Sequence, residues 1–242
     1  MGGRHDTPVE QRRAVVVTLD ALGTLVALRP PAPLLVAGLR ARGVEATERQ
    51  AAPAIASEIA YYRAHHDTAA DAASLARLRA RCTEVLREGL LRAGADVGAL
   101  PADALRDTLL ESLRFVPYRE VPTALRALRD AGHRLVVVSN WDVSLHEMLR
   151  ATGLRPLVDG AVSSAEAGVA KPGAGIFERA LALAGGCAEG ALHTGDSLEH
   201  DVAGARAAGL RPVLVARAGP PPAVPAGVSV IGSLAELARL AA

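Results

Sequence analysis

The sequence predicts an α/β fold: a mostly parallel sheet covered by helices on both faces, with an all-helical insert. Three observations lead there. A short β-branched run, Ala14 to Val17 with Leu19, delivers Asp20 and then breaks at Gly23. From about Val121 to the end, short apolar runs alternate with helical stretches, the signature of parallel strands joined by crossover helices. Between these two parts lie four helical stretches with no convincing strand. We place the core at residues 14–26 and 117–242, the helical insert at 27–116, and a polar, flexible tail at 1–13.

The first strand is buried by its composition, and Arg29-Pro30-Pro31 marks the break after it. Pro33 to Arg42 is a short apolar helix ended by Gly43. Thr47 with Gln50 three residues later makes a capping-box start for a helix to about His66. Asp71 opens a third helix, with Leu75, Leu78, Cys82, Val85, Leu86 and Leu90 on one face and Gly94 at its end. Pro101 to Leu113 is the fourth. In the core, the helix Pro122 to Ala131 precedes the strand Arg134 to Val138, which delivers Ser139-Asn140-Trp141-Asp142. The helix Val143 to Thr152, a strand near Ala161 to Ser163 and the helix Ala174 to Leu183 follow. The strand Ala191 to Thr194 leads into Gly195-Asp196. A helix from Glu199 to Ala208, a strand from Pro212 to Val215, a Pro-rich loop from Gly219 to Gly227, a strand at Val228 to Ile231 and a helix from Ser233 complete the order.

At 242 residues the chain fits one large domain or a core plus a smaller insert. Half the residues are hydrophobic but only 2% are aromatic, so Leu, Val and Ala must fill the core. The net charge is +1 with both signs interspersed. There is no basic stripe and little to stack on bases, which excludes a nucleic-acid partner from the expectation. Cys82 and Cys187 form neither a metal-ligand spacing nor a disulfide framework, in keeping with a reducing cytoplasm. No apolar run is long enough to span a membrane, and the start is neither signal-like nor a myristoylation site. Of the 27 lysines and arginines only Lys171 is lysine, and Asn140 and Trp141 are also single. Where arginine has replaced lysine almost everywhere, the remaining lysine marks a site that a planar guanidinium does not suit.

Parallel pairing puts the strand ends carrying Asp20, Ser139 and Asp196 on one edge of the sheet, where ligands of open α/β sheets bind. Each residue has a plainer reading. Asp20 can cap a turn, Ser139 the next helix and Asp196-Ser197 the last large helix. Lys171 can be a solvated loop charge and Asp201 a surface acid. Together, with the lone lysine among them, they suit phosphoryl transfer. Asp20 and Asp196 can share Mg²⁺, a hard cation that takes carboxylate, water and phosphate oxygens. Lys171 offsets phosphate charge, Ser139 and nearby backbone N–H groups hold its oxygens, and Asp20 attacks phosphorus.

The stretches Val-Thr-Leu-Asp20-Ala-Leu-Gly-Thr-Leu, Val-Val-Val-Ser139-Asn-Trp-Asp, Lys171-Pro-Gly-Ala-Gly-Ile-Phe and Gly195-Asp196-Ser-Leu-Glu-His-Asp201 resemble, in order and spacing, the motifs of the haloacid dehalogenase-like (HAD) hydrolases. The Ser-Asn-Trp-Asp stretch and a non-acidic position 22 look most like the branch named for the rhythmically expressed gene two protein. The resemblance implies a Rossmann-like core with a helical cap and Asp20 as nucleophile. It puts Ser139, Asn140 and Lys171 on the phosphate. It also implies Mg²⁺ on Asp20, Asp196 and the backbone carbonyl of Leu22, with Asp201 holding a metal-bound water. Phosphatases of this kind usually carry a second aspartate two residues after the nucleophile; here that position is Leu22. General acid–base help is worth ~10²–10⁴-fold, so Leu22 predicts slow turnover, a good leaving group or a substitute acid. His193, Asp142, His65 and His66 are candidates for that substitute.

In the insert, Tyr61, Tyr62, Arg63, His65 and His66 form the densest polar-aromatic cluster; Tyr61 shares a helix face with His65, and Tyr62 with His66. These residues either contact substrate or decorate a helix surface, and Arg29 near the hinge is a further candidate for substrate. The leading expectation is a cytoplasmic, Mg²⁺-dependent phosphatase of a small phosphorylated metabolite, monomeric or homodimeric. A phospholigand- or partner-binding protein with little turnover is the alternative, and a 2-haloacid dehalogenase the third reading. A phosphonatase would need a lysine in the insert, which has none.

Overall fold

The computed structural model describes residues 15–217 and 223–241. The expected tail, Ala14 and the first part of the Pro-rich loop lie outside the described residues. The strands are β1 (Val16–Leu19), β2 (Val26–Leu28), β3 (Phe115–Pro117), β4 (Arg134–Ser139), β5 (Gly160–Ser163), β6 (Leu192–Gly195), β7 (Arg211–Val215) and β8 (Ser229–Ile231). The helices are α1 (Pro31–Ala41), α2 (Glu48–His65), α3 (Ala72–Arg92), α4 (Ala102–Ser112), α5 (Val121–Asp130), α6 (Leu145–Ala151), α7 (Ser164–Ala167), α8 (Ala174–Ala184), α9 (Ala203–Ala207) and α10 (Leu237–Leu240).

Six strands form one parallel sheet in the order β5-β4-β1-β6-β7-β8. β1 is central, with Thr18 opposite Val136 on one side and His193 on the other. Alternate residues of β1 serve opposite faces, as the two-residue period of a strand requires. Val17 and Leu19 pack with Leu125 and Leu128 of α5 and with Leu237 of α10. Val16 packs on the other face with Ile176, Phe177 and Ala180 of α8. The expected Rossmann-like α/β core is therefore present. Its strand ends place Asp20, Ser139 and Asp196 on one edge.

Helices α1 to α4 gather a separate hydrophobic cluster, including Leu35, Leu39, Ile55, Leu86, Leu90 and Leu105. Burying each such leucine contributes about 1.5–3 kcal/mol, so the insert holds together largely by its own packing. Its expected capping signals are realised. Gln50 Oε1 accepts from Thr47 N at 2.9 Å, and Asp71 Oδ1 accepts from Ser74 N at 2.8 Å.

The structure corrects the sequence reading in four places. Where no strand was expected between residues 27 and 116, β2 and β3 pair antiparallel, with Ala27 opposite Val116, and form a two-stranded ribbon at the two crossings between sheet and insert. Three-residue strands, one ending in proline, are too short to show an alternating pattern. The helix after Ser139 begins at Leu145 rather than Val143, because Asp142 Oδ1 takes the Ser144 N–H at 2.6 Å and holds a turn first. The segment after Asp196 opens as a π-helical turn, Leu198–Val202, before α9. The closing helix from Ser233 starts as a 3₁₀ turn, Leu234–Glu236, capped by Ser233.

Candidate active site

The site is built on the carboxyl edge of β1, β4 and β6. Asp20 extends β1 by one rung, its N–H donating to Thr194 O at 2.9 Å. The chain then turns sharply. Leu25 N and Val26 N both donate to Ala21 O, and Gly23 N donates to Val26 O. Gly23 has φ +87°, and a Cβ there would lie 2.0 Å from Asp196 Oδ2. Only glycine lets the first loop adopt this turn and lie against the Asp196 carboxylate. Arg217 fixes the same turn from outside. Its Nε donates to Gly23 O (3.1 Å) and its Nη2 to Thr24 O (2.7 Å), while Nη1 pairs with Glu120 (2.6 Å) and the guanidinium stacks on Tyr118.

Ser139 ends β4 directly beside Asp20, and its Oγ donates to Asp20 Oδ1 at 3.1 Å. It caps no helix. Lys171 Nζ donates to Asp20 Oδ1 and to Asp201 Oδ1, each at 2.6 Å. It is 3% exposed, so the solvated-loop reading does not hold. The single asparagine holds this lysine in place. Asn140 Oδ1 accepts from Lys171 N (2.8 Å) and Asn140 Nδ2 donates to Lys171 O (3.0 Å). Both ends of the Asn140 amide are thus spent on the Lys171 backbone.

Asp201 is no surface acid. It is buried, accepting from Lys171 and from Ser197 N (2.9 Å), with His193 Nε2 at 3.0 Å. Gly195 makes room for it, since a Cβ there would meet Asp201 Cγ at 2.1 Å. Asp196 is more exposed, and the helix-capping role beside it belongs to Ser197, whose Oγ accepts from His200 N. Asp20, Asp196 and Asp201 offer carboxylate oxygens that all lie within 4.8 Å of one another. An all-oxygen, acidic donor set of this kind can bind a hard divalent cation.

The electrostatics follow from burial and this clustering. Burial pushes the Asp20 carboxyl up to about 6 against the opposing pull of Lys171. Burial and then the neighbouring Asp201 charge also raise Asp196. In Asp201 burial is outweighed by Lys171 and His193, which hold it well below the usual carboxylate range. Burial opposes the charge on Lys171, yet Asp20 and Asp201 together keep its pKa above the ordinary lysine value. One ammonium thus serves two of three crowded carboxylates, and the remaining negative charge is what a bound cation would offset.

A cavity of about 730 Å³ opens above this edge, lined from the core by Asp20, Ser139, Lys171 and Asp196 and from the insert by Tyr62 and His66. Leu22 also lies on its wall, where it can offer no proton. Insert and core touch here, with Ser164 Oγ donating to Asp67 and Val143 N donating to Ala69 O. Arg63 lines the cavity as well, and the remaining insert candidates are elsewhere. Tyr61 and His65 stack on each other at 4.0 Å and line a separate groove, and Arg29 is exposed and off the cavity wall. Of the proposed substitute acids, His193 is buried behind the sheet edge. Thr18 Oγ1 lies 2.8 Å from its Nδ1 and Asp201 meets its Nε2, while burial pushes its imidazole down. Asp142 does line the cavity, beside Tyr62, whose phenol burial and then the Asp142 charge push well up.

Sequence reasoning missed Arg217 and Glu58. Arg217 is one of many arginines and carries no motif. Glu58, buried on the insert's side of the cavity, reads in the sequence as an ordinary helical acid. Its spacing of four from Tyr62 and eight from His66 was the available signal.

A cluster of three carboxylates on one strand edge of a parallel sheet, with an inserted helical unit beside it, is the arrangement of a HAD-like hydrolase. The family model for haloacid dehalogenase-like hydrolases matches residues 15–209, and the chain belongs to that family. Among its relatives, "haloacid dehalogenase-like hydrolase domain-containing protein 3" of Bos taurus is 44% identical over 42% of this chain and 40% of its own length. A ribulose-1,5-bisphosphate 5-phosphatase of Halopiger xanaduensis is 35% identical over 46% of each chain. This chain thus spans less than half the length of either relative. The solved 2-haloacid dehalogenase of Pseudomonas syringae pv. tomato superposes with a TM-score of 0.63 at 23% identity, covering 94% of this chain and 98% of that one. That likeness concerns the fold. Among the described residues no helix is long and apolar enough to cross a membrane.

Proposed function

We propose that this chain is a Mg²⁺-dependent phosphatase of a small phosphorylated metabolite, acting through an aspartyl phosphate on Asp20. The observation that carries the reading is the cluster itself: three carboxylates within 4.8 Å with one buried ammonium between two of them. Phosphatase names among the relatives, including glyceraldehyde 3-phosphate phosphatase of Methanopyrus kandleri, support it. A dehalogenase would have to release a halide beside the same three carboxylates, which the local charge disfavours.

Asp20, Asp196 and the Leu22 carbonyl would hold the ion, and the ion supplies positive charge to the phosphate oxygens and to the crowded carboxylates. Lys171 Nζ and Ser139 Oγ, both on Asp20 Oδ1, orient that carboxylate and stand ready to bond phosphate oxygens. The other carboxylate oxygen of Asp20 attacks phosphorus, and the bond to the leaving alcohol breaks as its oxygen takes a proton from solvent water, Leu22 having none to give. Water then attacks phosphorus, releasing phosphate and restoring the Asp20 carboxylate. The helical insert acts as the cap, shutting the cavity over the reacting groups.

Leu22 favours a second reading, a phospholigand-binding protein with little turnover. Phosphate release from a panel of phosphomonoesters and an acyl phosphate, with and without Mg²⁺, separates the two. Mg²⁺-dependent release that disappears in Asp20→Asn supports the phosphatase. Ligand and Mg²⁺ binding without release from any compound supports the binder.

A further inference from the structure

His66 follows the last residue of α2, where the insert rests on the core, and its ring lines the cavity that holds Asp20. The residue is buried. Its Nδ1 is taken up by the protein. Asp67 Oδ1 lies 2.7 Å from it and Ser164 Oγ 3.3 Å. Ser164 in turn donates to Asp67 and accepts from Trp141 N at 3.1 Å, two residues beyond Ser139. A carboxylate and a hydroxyl oxygen beside Nδ1 place the proton of the neutral ring there and leave Nε2 with its lone pair. Nε2 has no hydrogen bond among the described residues, and it is not sealed from solvent, so it opens on the cavity that the ring lines.

An aspartyl phosphate on Asp20 is hydrolysed by water that arrives roughly in line with the bond from Asp20 to phosphorus, on the side away from Asp20. Asp20 stands on the core wall of the cavity, so that side faces the insert. The water needs a base there, and Leu22 is none. The other insert groups on the wall do not serve. Glu58 Oε2 is sealed from solvent, and the carboxyl is bonded to Cys82. Tyr62 keeps its phenolic proton, because burial pushes it well up. Arg63 and Arg79 are cations. From the core, Asp142 is held by Ser144 N at 2.6 Å and Glu147 pairs with Arg79. His200 stands beside Asp201 on the core edge, with a hydroxyl, Ser197 Oγ, rather than a carboxylate at its Nδ1. Resting on the phosphatase reading, we propose that His66, aligned by Asp67, is the base of the hydrolysis step. The water oxygen bonds to phosphorus, the bond from phosphorus to the Asp20 oxygen breaks, and the water proton passes to Nε2. The Asp67 carboxylate offsets the charge of the imidazolium, which then returns the proton to solvent. Ser164 ties Asp67 to the loop after β4, so the seated insert holds the base over the core.

The test uses the full chain with Mg²⁺ and acetyl phosphate, whose leaving group needs no acid, so that hydrolysis of the intermediate limits kcat. In such a two-step reaction kcat/KM covers only the steps through phosphorylation of Asp20. His66→Gln should lower kcat by ~10²-fold or more and leave kcat/KM close to that of the parent. In the same reactions, acid-quenched and read by mass spectrometry, a larger fraction of the peptide containing Asp20 should carry phosphate in His66→Gln than in the parent. A merely structural role would lower kcat/KM as well and would build up no intermediate. Asp67→Asn keeps an acceptor for Ser164 and removes the charge, and it should move both readouts in the same direction by a smaller factor. The Asp67 side chain is half-exposed, so this variant tests the pair even where His66→Gln fails to fold. An unchanged kcat in His66→Gln, a parallel fall of kcat and kcat/KM without added phosphorylation, or parent-like readouts in Asp67→Asn overturns the proposal. Release through Asp20 that is indifferent to His66 removes this inference alone. A parent that neither releases phosphate nor carries it on Asp20 removes the phosphatase reading, and this inference with it.

Discussion

Lys171 should be the most costly side chain of the site to remove, and the cost should depend on pH. It makes two ion pairs at 2.6 Å, and its partners Asp20 and Asp201 are each more than nine-tenths buried. Truncating one partner of a buried pair costs about 3–5 kcal/mol, because a charge is left without compensation. Lys171→Met would leave two carboxylates facing each other. For a chain of this size each kcal/mol moves the melting temperature by about 2–4 °C, so a loss of roughly 6–20 °C is expected at pH 8. The sign of the pH dependence follows from Asp20. Its folded pKa of about 6 already exceeds the unfolded value of 3.8, and losing Lys171 raises it further. A carboxyl whose pKa is raised on folding binds more protons in the folded state, so its contribution to stability falls as pH rises through that window. At pH 5 Asp20 is largely protonated in parent and variant alike, and only Asp201 loses a partner. The deficit at pH 5 should therefore be smaller than at pH 8 by ~1 kcal/mol or more. Thermal unfolding of both proteins at the two pH values reads this directly. An unchanged melting temperature at pH 8, or a larger deficit at pH 5, would refute the buried-triad account.

Three further outcomes follow. Gly23→Ala forces a side chain at φ +87° into Asp196 Oδ2, so it should destabilise the fold by more than ~1 kcal/mol and weaken Mg²⁺ binding, read as a smaller Mg²⁺-induced thermal shift than in the parent. Glu58 has a folded pKa of about 7 against an ordinary value of 4.5, so it costs the fold progressively more as pH rises between those values, on the order of 3 kcal/mol in all. Denaturant titrations of Glu58→Leu at pH 4 and pH 8 should show it gaining on the parent toward high pH, and a gain confined to low pH would contradict the burial argument. On the phosphatase reading, Leu22→Asp adds a carboxyl to the cavity wall that can protonate a leaving group, and should raise turnover of an alkyl phosphate by ~10²–10⁴-fold while barely changing that of an acyl phosphate. Equal gains on both substrates would show that protonation of the leaving group is not what Leu22 withholds.

The fold was legible wherever burial imposed a period. β1 and β4 are short runs buried on both faces, and the capping signals at Thr47 and Asp71 are local chemistry that tertiary contacts did not override. The β2–β3 ribbon was not legible, because three-residue strands leave no alternation and their pairing spans the entire insert. The acidic cluster could be read because strand ends in a parallel sheet must share an edge, and because a lone lysine stands out among arginines. The work done by Asn140 in holding Lys171 was hidden, since both bonds are to backbone 31 residues away. Tyr61, Tyr62, His65 and His66 read alike in sequence, and only the packed angle of α2 separates the pair on the cavity from the pair off it. Arg217 lay beyond reach for the same reason, and Glu58 had only its spacing from Tyr62 and His66 to mark it. What distinguishes each is its surroundings, an apolar wall in one case and two loop carbonyls in the other.

The most direct test of the central claim is mass spectrometry of the acid-quenched protein during turnover of an acyl phosphate with Mg²⁺. The account predicts one added phosphoryl group on the peptide containing Asp20, absent without Mg²⁺ and absent in Asp20→Asn. Phosphate release at the parent's rate with no adduct on that peptide, or with the adduct on another residue, would contradict it.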